Sequence, residues 1–208
     1  MADVVAIDGG SGYGYTVALR RDGTVWAWGD NEYGQLGDGT DRDRSTPVQV
    51  QGMADVVAIA GGSGRTIALR RDGTVWAWGY NYYGQLGDGT TTRRLTPVQV
   101  QGMSDVVAIA GPFWHTIALR RDGTVWAWGD NEDGQVGDGT TTDRLTPVQE
   151  QGLTDVVAIA GGLEHTMALG RDGTVWAWGN NQYGQLGDGT TTDRLTPVRA
   201  QGLPDMGP

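Results

Sequence analysis

The sequence predicts an all-β fold: a β-propeller of four-stranded blades, four blades to the chain. Three observations predict it. Trp26-Ala27-Trp28-Gly29 returns at Trp76, Trp126 and Trp176, so the chain repeats with a period of 50 residues. Each period carries four short β-branched or alternating segments separated by Gly-rich turns. No segment spaces its apolar residues at the 3.6-residue period of an amphipathic helix.

The second unit shows the elements in order. Val56-Val57-Ala58-Ile59-Ala60 is an apolar, β-branched run, and Thr66-Ile67-Ala68-Leu69-Arg70 follows it. Arg71-Asp72-Gly73 supplies an Asp-Gly hairpin turn in which Gly73 is expected at positive φ. Thr74-Val75-Trp76-Ala77-Trp78 then alternates, with both Trp on one face and Val and Ala on the other. Trp76 and Trp126, in the inner units, are expected to be buried between blades. After the loop Gly84-Gln85-Leu86-Gly87-Asp88-Gly89-Thr90, the segment Thr96-Pro97-Val98-Gln99-Val100 reads as an outer strand, where Pro is tolerated. The units run approximately 1–50, 51–100, 101–150 and 151–200, with a tail, 201–208, in the phase of a next unit. Asp3 aligns with Asp55 but Thr16 with Thr66, so unit one holds two extra residues between Gly9 and Tyr15. No linker separates the units, and the chain reads as one array.

Composition narrows the function. All 15 basic residues are Arg, against 25 acidic residues, for a net charge of −10. Such a chain is a poor binder of nucleic acid, which needs a basic patch. The absence of Cys excludes disulfides, thiolate metal sites and cysteine nucleophiles. No apolar run approaches the ~20 residues of a membrane helix, and Met1-Ala2-Asp3 lacks the basic and apolar regions of a signal peptide, which sets the expectation of a cytoplasmic protein away from membranes.

One unit reads Gly-x-x-His165-Thr166-x-Ala-Leu, Asp172-Gly173-Thr-Val-x-x-Trp178-Gly179, Asn181-x-x-Gly184-Gln185-Leu186-Gly187 and Pro197-Val198. This pattern, carried through the whole chain, resembles the regulator-of-chromosome-condensation repeats. The resemblance implies a propeller, normally of seven blades, used as a rigid ring for protein binding. It does not imply one activity, because such rings serve as a chromatin-associated exchange factor, in ubiquitin ligases and in a secreted bacterial inhibitor of β-lactamases. Four repeats instead of seven is the main departure.

The residues offer little catalytic chemistry. His115 and His165 share one repeat position, which Tyr15 and Arg65 fill in the other units, so a common catalytic role fails. A framework His bonded to a neighbouring loop explains them better. Asp38-Gly39-Thr40, its copies, and Asp130-Asn131-Glu132-Asp133-Gly134 lack the ligand spacing of a helix–loop–helix calcium site and are expected to close turns on their own backbone. No unit holds a nucleophile, base and orienting group together. The expectation is a non-enzyme with no metal and no cofactor.

The units are nearly identical, so their differences carry information. These fall in the turn after the first strand, around the constant Asn (Asn31, Asn81, Asn131, Asn181), and more mildly at Asp41 to Ser45 and its equivalents. The first two hold every Tyr and the only Phe. Tyr and Trp on rigid loops have the composition of a paratope. The candidate partner-binding residues are Tyr13, Tyr15, Phe113, Trp114, Tyr33, Tyr80, Tyr82, Tyr83 and Tyr183, with Arg65, His115, Glu164 and His165. Phe113-Trp114, stiffened by Pro112, is the sharpest pair. The other reading is that it plugs the mouth of the central channel. The units carry charges of −4, +2, −5 and −2, so a partner meets a patterned surface. The function read from this is a non-enzymatic scaffold for a protein or peptide. A purely structural repeat module and a lectin-like sugar binder are the alternatives. Finally, four blades of a seven-blade design would expose apolar blade faces. The expectation is a two-fold homodimer whose eight blades close a ring.

Overall fold

Each period folds into one antiparallel meander of four strands. The computed structural model describes residues 3–10 and 12–203; Met1, Ala2, Ser11 of the first variable turn, and residues 204–208, including Asp205 of the tail, lie outside them. Unit one holds β1 (Val4–Gly9), β2 (Tyr15–Arg20), β3 (Val25–Gly29) and β4 (Arg44–Gln49). Unit two holds β5 (Val56–Gly62), β6 (Arg65–Arg70), β7 (Val75–Gly79) and β8 (Arg94–Gln99). Unit three holds β9 (Val106–Ala110), β10 (His115–Arg120), β11 (Val125–Gly129) and β12 (Arg144–Gln149). Unit four holds β13 (Val156–Gly161), β14 (His165–Gly170), β15 (Val175–Gly179) and β16 (Arg194–Arg199). Strand order within every sheet follows chain order. The four segments read from unit two coincide with β5 to β8. The first strands β1, β5, β9 and β13 neighbour one another from blade to blade. They line the central channel, where a cavity of about 420 Å³ is bounded by Ile59, Ile109 and Ile159.

The Asp-Gly turn sets the register that divides the blade faces. Asp72 Oδ1 accepts the Thr74 amide at 3.0 Å and its hydroxyl at 2.6 Å. Gly73 takes a φ of 80°. The hairpin then pairs Leu69 with Val75, Ile67 with Ala77 and Thr66 with Trp78. Ile67, Leu69, Val75 and Ala77 therefore share one face, and Thr66, Ala68, Trp76 and Trp78 the other. The first face packs on the second face of the following blade: Ile67, Leu69, Val75 and Ala77 cluster with Ala118 and Trp128. Val17, Leu19, Val25 and Ala27 do the same with Ala68 and Trp78, as do Ile117, Leu119 and Val125 with Ala168 and Trp178. Each buried Val, Leu or Ile stabilises the seam by roughly 1.5–3 kcal/mol. The tryptophans buried in the seams are thus Trp78, Trp128 and Trp178, all at 0% exposure. Trp76 and Trp126, expected to be buried, are only half-buried. They lie at the outer margin, with Arg70 and Arg120 guanidinium groups 5.8 and 5.2 Å from their rings.

Polar contacts repeat from seam to seam. The Gln35 carbonyl accepts the Thr66 hydroxyl and the Trp78 indole N–H, each at 2.9 Å. The Gln85 carbonyl accepts Thr116 at 2.8 Å and Trp128 at 3.0 Å. The Gln135 carbonyl accepts the Thr166 hydroxyl at 2.7 Å. Gly39, Gly89 and Gly139 amides donate to the Leu95, Leu145 and Leu195 carbonyls at 2.9–3.0 Å.

One buried group breaks the pattern. Glu150 stands where Val50 and Val100 fill the core, and it is 3% exposed. Its Oε1 accepts the Leu153 amide at 3.2 Å, and its Oε2 has no partner. Burial pushes its carboxyl up to about 7. Between the ordinary carboxylate range and about 7 the folded chain holds a proton that the unfolded chain has lost, so stability falls as pH rises through this window. Glu150→Val is expected to stabilise by on the order of 1–3 kcal/mol at pH 8. The gain should shrink toward pH 4.5, as denaturant titrations at both pH values would show. A gain independent of pH would contradict the titration.

Candidate functional site

The loops that carry the candidates are held by the constant Asn. Asn31 Oδ1 accepts the Leu36 amide at 3.0 Å, while its Nδ2 donates to the Thr40 and Arg42 carbonyls, each at 3.0 Å. Asp38 accepts the Thr40 amide at 2.9 Å and Arg44 Nε at 2.8 Å. Burial works against the Asp38 charge, but its bonds to Thr40 and Arg44 outweigh it and hold the carboxyl below the usual range. The Gly-Asp-Gly motif is thus a loop lock, as its turn-closing reading has it. Among the described residues, no group of three or more His, Asp or Glu is arranged to hold a metal.

On this rigid frame both sets of variable aromatics meet. Tyr13 stacks edge-on against Tyr33 with ring centroids 5.3 Å apart, and Tyr33 against Tyr80 at 4.9 Å. Trp114 lies 5.3 Å from Tyr80 and 5.6 Å from Tyr83, and Tyr82 lies 5.0 Å from Tyr83. Phe113 sits 4.5 Å from Trp114. Seven rings from three blades thus form one continuous row. Gly64, at φ 64°, makes room for it, since a Cβ there would come within 3.2–3.4 Å of Tyr33, Tyr80 and Tyr13. Phe113 also lines the channel cavity, so it is the end of the row that reaches the channel, while Trp114 lies within the row. Tyr82 is 68% exposed; Tyr183, at 85%, stands apart from the row.

Acidic groups flank the Trp114 end. Asp130 is buried, and burial followed by the charges of Asp143, Glu132 and Asp133 pushes its carboxyl up to about 6. Glu164 is raised by burial and by Asp133, Glu132 and Asp193. The ion pairs of the described residues lie elsewhere, joining Arg44, Arg94, Arg144 and Arg194 to Asp38, Asp88, Asp138 and Asp188, Arg20 to Asp22, and Arg93 to Asp41.

Tyr15, Arg65 and His115 are not part of this surface. They were expected among the partner-contacting residues, but they are 4%, 0% and 0% exposed. Each bonds to the next blade. The Tyr15 hydroxyl donates to the Arg65 carbonyl. Arg65 donates from Nη1 to the Phe113 carbonyl at 2.7 Å, and from Nη2 to Pro112 at 2.8 Å and to His115. His115 Nε2 lies 2.8 Å from Thr166 Oγ1. Because that hydroxyl already donates to Gln135, His115 donates from Nε2 and is the Nε2–H tautomer. Burial, then the charges of Arg65 and His165, pushes it down to about 3. Three chemically different side chains therefore perform one seam-stapling task. His165, the fourth, has no following blade among the described residues and is half-buried.

The RCC1-like domain family matches residues 12–207. Human WBSCR16 is similar at 27% identity and a TM-score of 0.84, over 96% of this chain and 53% of that one. The structure of yeast RCC1 (Prp20) bound to Kap60 gives 24% identity and a TM-score of 0.82, over 96% of this chain and 49% of that one. In sequence, a 40-residue stretch, 19% of this chain, is 45% identical to 9% of the ultraviolet-B receptor UVR8 of Arabidopsis thaliana. A stretch of 56 residues, 27% of this chain, is 38% identical to 1% of the mouse E3 ubiquitin-protein ligase HERC2. The chain spans about half the length of these solved structures and a small part of these curated relatives. With its matched repeats and four meander sheets, this chain belongs to the RCC1-like domain family of β-propellers.

Proposed function

We propose that this chain is a non-catalytic scaffold that binds a protein or peptide through the aromatic row, on a ring completed by a second copy of itself. The carrying observation is the continuity of the row: seven rings, contributed by loops of three blades, meet on a frame of buried Asn locks. Rigid aromatics lose little entropy on binding and commonly become hot spots. The flanking Asp130, Glu132, Asp133 and Glu164 favour a basic segment, whose Arg or Lys can lie against Trp114 and Tyr83 while pairing with the carboxylates. The edge-on and tilted packing of the rings against one another leaves fewer open faces than a sugar-stacking platform requires. The histidines favour no catalytic role, since His115 is neutral and closed off in a seam.

Peptide panels of basic, neutral and acidic composition test this reading. Basic peptides are expected to bind, more weakly as pH falls from 7 to 5 and Asp130 is protonated. Trp114→Gly, the residue of the equivalent turn in unit two, should reduce binding at least tenfold with little change in melting temperature. The double change Phe113→Ser with Trp114→Gly should abolish it. Unchanged binding by Trp114→Gly, or capture of glycans in place of peptides, would contradict the proposal. Loss of folding in the double variant alone would assign Phe113 to a channel plug.

A further inference from the structure

Two blade faces in residues 3–203 have no neighbouring blade, and they are the two halves of a seam. In unit four, Leu169 is 39% exposed, whereas Leu19, Leu69 and Leu119 at the same position are 3% exposed. Beside it, Met167, Leu169 and Val175 border an apolar cavity of about 140 Å³. In unit one, Thr16 and Trp28 are half-exposed, whereas Thr66 and Trp78 are fully buried. Among the described residues, no preceding blade supplies Thr16 and Trp28 with the carbonyl that Thr66 and Trp78 take from Gln35. Leu203, which repeats the phase of Met53, Met103 and Leu153, is 60% exposed where those three are 3–5% exposed.

We infer that the occupant of each face is a second copy of this chain, joined head to tail through two identical seams about a two-fold axis. Continuity with the internal seams carries the argument. Unit four offers the Val-Leu-Val-Ala type of face as Met167, Leu169, Val175 and Ala177, and unit one offers the Thr-Ala-Trp-Trp face. At the closing seam, His165 Nε2 meets Thr16 Oγ1 of the second copy, as His115 meets Thr166. The Gln185 carbonyl takes the second copy's Thr16 hydroxyl and Trp28 indole. The size agrees: 96% of this chain superposes on 53% of human WBSCR16, so two copies fill about one whole ring. Eight blades need roughly 45° per blade in place of roughly 51° for seven, whereas four alone would need roughly 90° and extensive repacking. One contact is weaker. Leu95, Leu145 and Leu195 lie over Gly34, Gly84 and Gly134, but unit one has Ser45 at this position, so Ser45 of the second copy covers Gly184.

The chain has no Cys, which makes the seam directly testable. Thr16→Cys with His165→Cys, treated with a short bis-maleimide, is expected to give one covalent product of two chains. A ladder of longer products would show open head-to-tail polymers, and product confined to single chains would show no seam; either result overturns the inference. Leu169→Glu should release monomers, and Ser45→Leu should lower the dissociation constant at least tenfold, both read by sedimentation without Cys substitutions. A Leu169→Glu variant that sediments as the wild type does would also overturn it. The inference stands on blade faces and not on the aromatic row, so Trp114→Gly should leave cross-linking unchanged even if peptide binding is lost.

Discussion

Trp78→Ala lowers folding stability by about 3–5 kcal/mol, while Trp76→Ala lowers it much less. The two residues flank Ala77 on one strand, in Val75-Trp76-Ala77-Trp78, and point to the same face of the blade. They differ in depth. Trp78 is fully buried against unit one: it sits in the cluster with Val17, Leu19, Val25 and Ala27, and its indole N–H donates to the Gln35 carbonyl at 2.9 Å. Truncation empties a large volume and leaves that carbonyl with one donor fewer. Trp76 lies at the margin under Arg70, with its indole on Thr74 Oγ1 at 3.3 Å, where water can replace what is removed. Urea titrations of the two variants at one pH make the comparison. Equal losses would mean that depth in the seam does not govern the contribution of these residues.

Gly73→Val is the second large effect, expected at about 3 kcal/mol or more. Two causes add. Gly73 has a φ of 80°, which a β-branched residue adopts only under strain. A Cβ would also fall 2.9 Å from the Asp105 amide nitrogen and 3.1 Å from its Cα. That backbone has little room to retreat, because Asp105 itself is left-handed at φ 57° and the Val106 amide donates to the Gly73 carbonyl at 3.2 Å. Gly102 is also left-handed, with φ 67°, but has nothing within 4 Å of its Cβ position and lies away from the terminal blade faces. Gly102→Val should therefore retain the conformational part of the loss and escape the clash. Melting temperatures of both variants separate the causes, and equal losses would leave conformation as the whole effect.

Most of the fold was legible because every level of the sequence agrees. The 50-residue period, the Asp-Gly turns and the alternating Trp strands each point to four-stranded blades. Depth within a blade was not legible, because alternation tells which face a Trp takes and not how far along the strand the next blade extends. Trp76 and Trp78 were indistinguishable on that ground. The candidate site was legible in part. Comparing the units with one another found the aromatic loops, and the structure joins them into a row. The same comparison misplaced Tyr15, Arg65 and His115. Differences between units signal recognition only when the side chain is exposed, and these three vary because each staples a seam to differently shaped loops of the following unit. Glu150 went unread although the series Val50, Val100, Glu150, Ala200 contains the signal: an acid among apolar residues at one repeat position. The left-handed Asp3, Asp55, Asp105 and Asp155 were also unforeseen, since Asp tolerates that conformation but nothing in the sequence pattern demands it.

The closed ring is the claim from which the architecture of this protein follows, and its mass in solution tests it most directly. Sedimentation equilibrium of the unaltered chain over a wide concentration range should give twice the mass of one chain, with no larger species. A single-chain mass throughout, for a chain that still unfolds cooperatively, would contradict the account, and so would a mass that climbs without limit as concentration rises.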